Sequence, residues 1–312
     1  MIRWQQFAQL FLFILLVILT WKVPNHPFIK DGAFITVSKQ NDSLYKEIEQ
    51  KAKQYDEKPE DAYIDDVWKK TPGRNGVKVN INKSYKKMMK KGMFDESYLV
   101  FDEIPPQQSL KDLAASPIYR GHPKKEMVAF LINVSWGTEH VPKILHTLKN
   151  NHVKATFFIE GKWAKEHVDY VRMIAEQGHT IGNHAYNHPD MARMSKQEIE
   201  SQIVQTNEIL HSITEKEPKW FAPPSGSYSN LVVATAHQLK METILWTVDT
   251  IDWKKPSVSV MLNRVMNHIH PGATILMHPT PVIENGLEQL IELIKAEGYR
   301  IGTIDELLSE KR

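Results

Sequence analysis

From Met127 onward, short apolar runs alternate with longer stretches in which apolar residues recur at three- and four-residue spacing. The runs fall at 127–134, 153–159, 179–183, 218–222, 242–248, 273–278 and 299–303, and each has the length of a buried strand. Between them, stretches near 139–149, 163–177, 195–213, 229–240, 257–269 and 282–297 have the period of amphipathic helices. Local signals agree. Ser195-Lys-Gln-Glu198 is a capping box, Gly178 and Gly298 stand where helices end, and Pro256 precedes a helix start. Strand–helix alternation sustained in this way predicts an α/β fold, a distorted (β/α)7-type barrel over 124–312. An open doubly wound sheet is the alternative. No Gly-x-Gly-x-x-Gly follows the first strand, which argues against a nucleotide cofactor.

Upstream the pattern changes. Phe7 to Thr20 is almost wholly apolar, with Arg3 before it and Lys22 after it, the form of an export signal. No small-x-small cleavage site follows. Counting Trp4, Trp21 and Val23, the run approaches the lower limit for crossing a bilayer. Residues 1–23 therefore read as a signal anchor with the remaining chain outside the cytoplasm; cleavage and secretion is the alternative. Residues 24–42 read as a polar tether and 43–104 as a small α+β module. In that module Leu44, Ile48, Ala52 and Tyr55 have helical spacing, Tyr63–Trp68 is strand-like, and Val77, Val79 and Ile81 alternate. Ser84 is the expected N-cap of a helix ending at Gly92, and Tyr98–Phe101 a last strand. Lys83, Lys86, Lys87, Lys90 and Lys91 read as a solvated face. A linker beginning at Pro105-Pro106 fills 105–123.

Composition adds two exclusions. Net charge is only +2, so no overall field argues for nucleic acid. The chain has no cysteine, which removes disulfides and thiolate metal sites and suits an exported protein.

In a parallel barrel the working face lies at the C-terminal ends of the strands. Asn133 ends the first strand, His184 and His188 follow the third, and Pro223–Tyr228 follow the fourth. Asp249, Asp252 and Trp253 follow the fifth, and His278 ends the sixth. Two imidazoles four residues apart can face one point, and neutral imidazole is a common metal ligand. The plainer alternative is loop histidines bonded to nearby backbone. A carboxylate at Asp249 would hold one tautomer of His278, as a general acid requires. Trp246 reads as core and Trp253 as groove wall.

Several segments together carry a resemblance: Ala129-Phe-Leu-Ile-Asn133, Ala155-Thr-Phe-Phe-Ile, Gly182-Asn-His-Ala-Tyr-Asn-His188, Phe221-Ala-Pro-Pro-Ser-Gly226, Trp246-Thr-Val-Asp-Thr-Ile-Asp-Trp253 and Leu276-Met-His278. Residues 126–303 resemble the polysaccharide deacetylase (NodB homology) domain of carbohydrate esterase family 4. With its anchor and module, the chain is similar to sporulation-associated members found in endospore formers. The resemblance implies removal of N-acetyl groups from cell-wall glycan, peptidoglycan or chitin-like, by a metal-dependent hydrolase. It implies a divalent metal, usually zinc, on His184 and His188, with His278 as general acid and Asp249 orienting it. Trp136, Pro223, Pro224, Ser225, Tyr228 and Trp253 would line the substrate groove. The implied partners are cell-wall polysaccharide and, through the anchor, a membrane.

Other family positions are filled differently. The base aspartate falls on Asn133 and the metal aspartate on Val134. The arginine beside the base falls on Ala222, the aromatic beside the oxyanion position on Ser225, and a hydroxyl residue on Ala185. The changes agree with each other, because an arginine facing neutral Asn133 would be a buried unpaired charge. Glu139, His140 and Asp190 have the chemistry to supply a ligand but read as surface residues. The expected function is a deacetylase with a non-standard site; the alternative is a catalytically silent glycan-binding or scaffold protein.

Overall fold

The computed structural model describes residues 43–312, so the anchor and tether expected over 1–42 lie outside the described residues. Among the described residues no helix is long and apolar enough to cross a membrane. The chain forms two compact units, one from the chain up to Tyr55 and Val79–Phe101, the other from Asp56–Lys78 and Asp102–Arg312. The stretch expected as one module over 43–104 thus contributes to both. Its elements are α1 (Ser43–Ala52), β1 (Tyr63–Asp65), β2 (Lys69–Thr71), β3 (Gly76–Val79), α2 (Ile81–Met88) and β4 (Phe101–Ile104).

In the smaller unit, Leu44, Ile48 and Ala52 of α1 pack against Val79, Tyr85 and Met88. Two boundaries differ from expectation. Asn80, not Ser84, caps α2: its side-chain oxygen accepts from the Lys83 N–H at 2.9 Å. Ser84 is buried inside the helix, where its hydroxyl accepts from the Val100 N–H at 2.9 Å. Asp95 caps a 3-10 turn at Glu96–Tyr98, which pushes the last strand on to β4. The five lysines are exposed, as expected.

The larger unit carries the parallel sheet: β5 (Met127–Val134), β6 (Thr156–Ile159), β7 (Thr180–Asn183), β8 (Trp220–Phe221), β9 (Glu242–Thr243), β10 (Val248–Asp249), β11 (Thr274–Met277) and β12 (Arg300–Gly302). Its order is β10-β11-β5-β6-β7-β8-β9. β12 takes the lower part of the β5 edge that β6 occupies higher up, pairing with Met127–Ala129 while β6 pairs with Leu131–Val134. The helices between strands are α3 (Val141–Asn150), α4 (Gly161–Glu166), α5 (Val168–Glu176), α6 (Lys196–Thr214), α7 (Asn230–Gln238), α8 (Val258–Met266) and α9 (Pro281–Ala296). The single helix expected over 163–177 is broken at His167, whose backbone leaves the helical region. The Ser195–Glu198 capping box is formed, and Gly178 and Gly298 adopt left-handed backbone at the helix ends. A short α10 (Ile304–Leu308), not foreseen, sends Ile304, Leu307 and Leu308 into the barrel interior.

The barrel is curled but open. β9 and β10 are its two edges, yet Thr243 and Val248 are close in the chain, so they lie at most about 17 Å apart. The apolar run at 242–248 is therefore not one strand; it turns the corner between the edges. A segment ahead of the barrel fills the seam. Ile118 donates to the Thr243 carbonyl and accepts from the Leu245 N–H, both at 2.8 Å, and the Tyr119 carbonyl accepts from the Thr274 hydroxyl at 2.6 Å. β2 packs behind this segment, with the Lys70 N–H on the Pro117 carbonyl at 3.0 Å. The Lys70 side chain is fully buried and meets Glu242 at 2.8 and 2.9 Å.

Two stability tests follow from buried polar groups. Removing a partner from a desolvated pair strands the other charge, so Glu242→Ala should lower unfolding free energy by roughly 3 kcal/mol. Replacing both residues by methionine should cost much less; equal losses in urea melts would contradict the pairing. His179 is buried against the edge of Phe157 and accepts the Ala155 N–H at 3.1 Å. Burial, then Lys154, holds its imidazole down to about 4. The unfolded chain therefore takes up this proton first, and stability drains away as pH falls from about 6.5 towards 4, by at most about 1.4 kcal/mol per unit. His179→Gln should make that slope shallower, and an unchanged slope would count against the assignment.

Candidate functional site

Alternation along β5 places the first site residue. Met127, Ala129 and Leu131 face the barrel interior, so Asn133 does too, and it emerges almost buried at the C-terminal rim. Val134 points the other way, into the layer between sheet and helices.

The next two residues ride on a clamped loop. Asn183 ends β7, and its amide donates to the Ile203 carbonyl at 2.9 Å and to Asn207 at 2.8 Å. Its oxygen accepts from the Ala185 N–H at 2.8 Å, while Gln202 accepts from the Tyr186 and Asn187 N–H groups. Ala185 and His188 both have positive φ, +60° and +57°. So held, the His184 and His188 rings stand 5.2 Å apart at 71°. His184 Nδ1 lies 2.8 Å from the Ala222 carbonyl, which only accepts, so Nδ1 carries the hydrogen and Nε2 the lone pair. Burial, then the neighbouring His188, pushes the His184 imidazole down to about 3.

His278 leaves β11 and is oriented by Asp252, which corrects the expectation that Asp249 does so. Asp252 is fully buried and accepts the His278 N–H at 2.8 Å, the ring Nδ1–H at 2.9 Å and the Thr280 hydroxyl at 3.0 Å. The physical reason is the turn between the two acids. Ile251 adopts φ +52°, an uncommon conformation for a β-branched residue, and its N–H is held by the Asp249 carboxylate at 2.8 Å. Asp249 thus builds the turn that swings Asp252 beneath the imidazole. Only the handedness of one residue decides between the two acids. Thr280, the N-cap of α9, was the one available signal, and Asn183 and Gln202 had none.

Aromatic side chains wall the opening. Trp136 stacks on His278, ring centroids 5.8 Å apart and 11° from parallel. Gly137 permits this, because a Cβ there would fall 2.0 Å from the Pro279 carbonyl oxygen. Trp253 is 49% exposed with Lys254 Nζ 4.9 Å above its ring. Trp246, expected as core, does pack on the interior cluster but also faces the opening. The resulting cavity, about 360 Å³, brings together Asn133, Trp136, His184, His188, Ser225, Asp249, Trp253 and His278. Three expected groove residues are elsewhere. Pro223 and Pro224 are buried, and Tyr228 packs on the Phe221 cluster with its hydroxyl 2.9 Å from that of Tyr119.

The residues fit a resident divalent metal poorly. Two imidazoles converge, but among the described residues no third histidine, aspartate or glutamate joins them in a group able to hold a metal. Val134, where the resemblance led to the expectation of a third ligand position, is apolar and faces the helices. The spare acids are committed: His140 pairs with Glu284 and with Glu139, and Asp190 with Ser227 and Arg193. Asn133 adds a buried carboxamide oxygen with no partner among the described residues.

An open parallel α/β barrel with paired histidines and an aromatic-walled cleft at its C-terminal rim defines the class. The polysaccharide deacetylase family model matches residues 120–244. The chain is 47% identical over 315 residues to the uncharacterized protein YlxY of Bacillus subtilis, covering 99% of each. It is 34% identical over 199 residues to the peptidoglycan-N-acetylglucosamine deacetylase of Bacillus cereus, covering 62% of this chain and 72% of that one. The crystal structure of BA3943, a CE4 family pseudoenzyme from Bacillus anthracis, superposes with a TM-score of 0.83 at 49% identity, covering 86% of this chain and 96% of that one. This chain belongs to the polysaccharide deacetylase family.

The orienting acid can be tested directly. Asp252→Asn should lower stability by about 2 kcal/mol, because an amide offers one acceptor where three donors converge. It should also shift the His278 Nδ1–H signal in imidazole-tuned NMR, whereas Asp249→Asn should leave that signal in place. The opposite pattern would restore Asp249 to the role.

Proposed function

We propose that this protein holds cell-wall glycan in the rim cleft without hydrolysing it, outside the cytoplasm and attached through its N-terminal hydrophobic residues. The observation that carries the proposal is Asn133. A general base must take a proton from the attacking water, an assistance commonly worth about 10²–10⁴-fold, and a carboxamide cannot do so at neutral pH. What Asn133 offers instead is an unpaired, nearly buried acceptor, which a sugar hydroxyl or acetamido N–H would satisfy. Trp136 and Trp253 add flat apolar faces beside it, suited to stacking on pyranose rings. The short supply of metal ligands points the same way. Deacetylation, the first expectation from sequence, asks for a base and a third ligand that this cleft does not present. The names of the relatives agree with a peptidoglycan-type glycan, and the description of BA3943 as a pseudoenzyme agrees with the absence of turnover.

The experiment is acetate release set beside binding. With excess zinc and either N-acetylglucosamine oligomers or peptidoglycan fragments, the protein should release no acetate above a His278→Ala control. Calorimetry should still detect oligomer binding, weakened about tenfold by Trp253→Ala, as expected for loss of one aromatic platform. Zinc-dependent acetate release abolished by His278→Ala would overturn the proposal in favour of an enzyme.

A further inference from the structure

At the other end of the barrel, the chain entering β5 and β12 lines a cavity of about 500 Å³. Its walls carry six cations, Arg74, Lys124, Lys125, Arg300, Lys311 and Arg312, against the acids Glu126 and Glu310. Two of the neighbouring carboxylates are already engaged. Glu57 is shared by Arg74 at 3.0 Å and Arg312 at 2.8 Å, and Glu60 takes Lys124 at 2.9 Å. Arg300 and Lys311 form no ion pair among the described residues.

Lys125 is the telling residue. It is 7% exposed, and its ammonium donates to two backbone carbonyls, Glu306 and Ser309, both at 2.6 Å, with no carboxylate in ion-pair range. Burial, then the charge of Arg300, holds it down to about 8 against the smaller opposing pull of Glu306 and Glu103. Gathering like charges round a desolvated ammonium is unfavourable unless an anion shares them. A mixture of guanidinium forks and ammonium groups matches the oxygens of a phosphate. The volume is that of a small-molecule site.

We propose that this basal cavity binds a phosphate group carried by a small molecule or a glycerophosphate headgroup, contacted by Lys125, Arg300 and Lys311. Asn133 lies seven positions along the chain from Glu126, about 23 Å of extended strand, so the site is distinct from the rim cleft.

The test is calorimetric titration of the full chain in neutral detergent with inorganic pyrophosphate, glycerophosphoglycerol and malonate. Pyrophosphate or the phosphodiester should bind more tightly than malonate, and Arg300→Gln with Lys311→Gln should weaken that binding by tenfold or more at unchanged melting temperature. Binding of pyrophosphate alone assigns a free phosphate ligand, and binding of the diester, alone or with it, assigns a headgroup. Heat from neither phosphate, malonate binding as tightly as they do, or equal affinity in the double variant would overturn the proposal.

Discussion

Every residue of β5 is buried, and its two faces sort the molecule. Val128, Phe130, Ile132 and Val134 hold the helix layer, while Met127, Ala129 and Leu131 hold the barrel interior. β11 pairs along one edge, and β6 and β12 divide the other. A strand pinned on both edges and both faces cannot slip in register without reversing every side chain. That rigidity is what commits Asn133 to the cleft and Val134 to the helices, and so sets what the rim can and cannot bind.

The rim residues then depend on turns, and the turns carry cost. Ala185, His188, Ser225 and Ile251 all have positive φ without being glycine. Such conformations persist only where surrounding bonds over-determine them, here the Asn183 and Gln202 clamps and the Asp249 carboxylate. The cleft is therefore held by strained turns around a neutral Asn133.

Much of this was legible in the chain. Strands at 127–134 and 273–278 and helices at 195–213 and 282–297 follow from period and caps, because burial on one or both faces writes itself into hydrophobic spacing. The gathering of Asn133, His184, His188, Asp249 and His278 followed from parallel strand direction alone. What stayed hidden depends on single dihedrals or distant contacts. The break at His167 interrupts a continuous helical pattern. Asp249 and Asp252 differ only in which side of the Ile251 turn they occupy. Pro223, Pro224 and Tyr228 sit near the rim in the chain, but the prolines are buried and Tyr228 packs on the Phe221 cluster, beyond left-handed residues at Ser225 and Gly226. Nothing in the spacing foretold that Glu57 and Glu60 stand beside Arg74, Arg312 and Lys124.

The seam between β9 and β10 has a consequence for how the chain comes together. Ile118 is laid down early, yet its partners Thr243 and Leu245 lie more than a hundred residues further on, and Thr274 further still. Closing so large a loop carries an entropy cost that no local contact offsets, and such long-range pairings form slowly. Until then both sheet edges remain open to pairing with another chain. The seam thus joins the β5–β12 pairing among the contacts that need nearly the whole chain, which makes this protein one that benefits from reaching full length before it is left unattended.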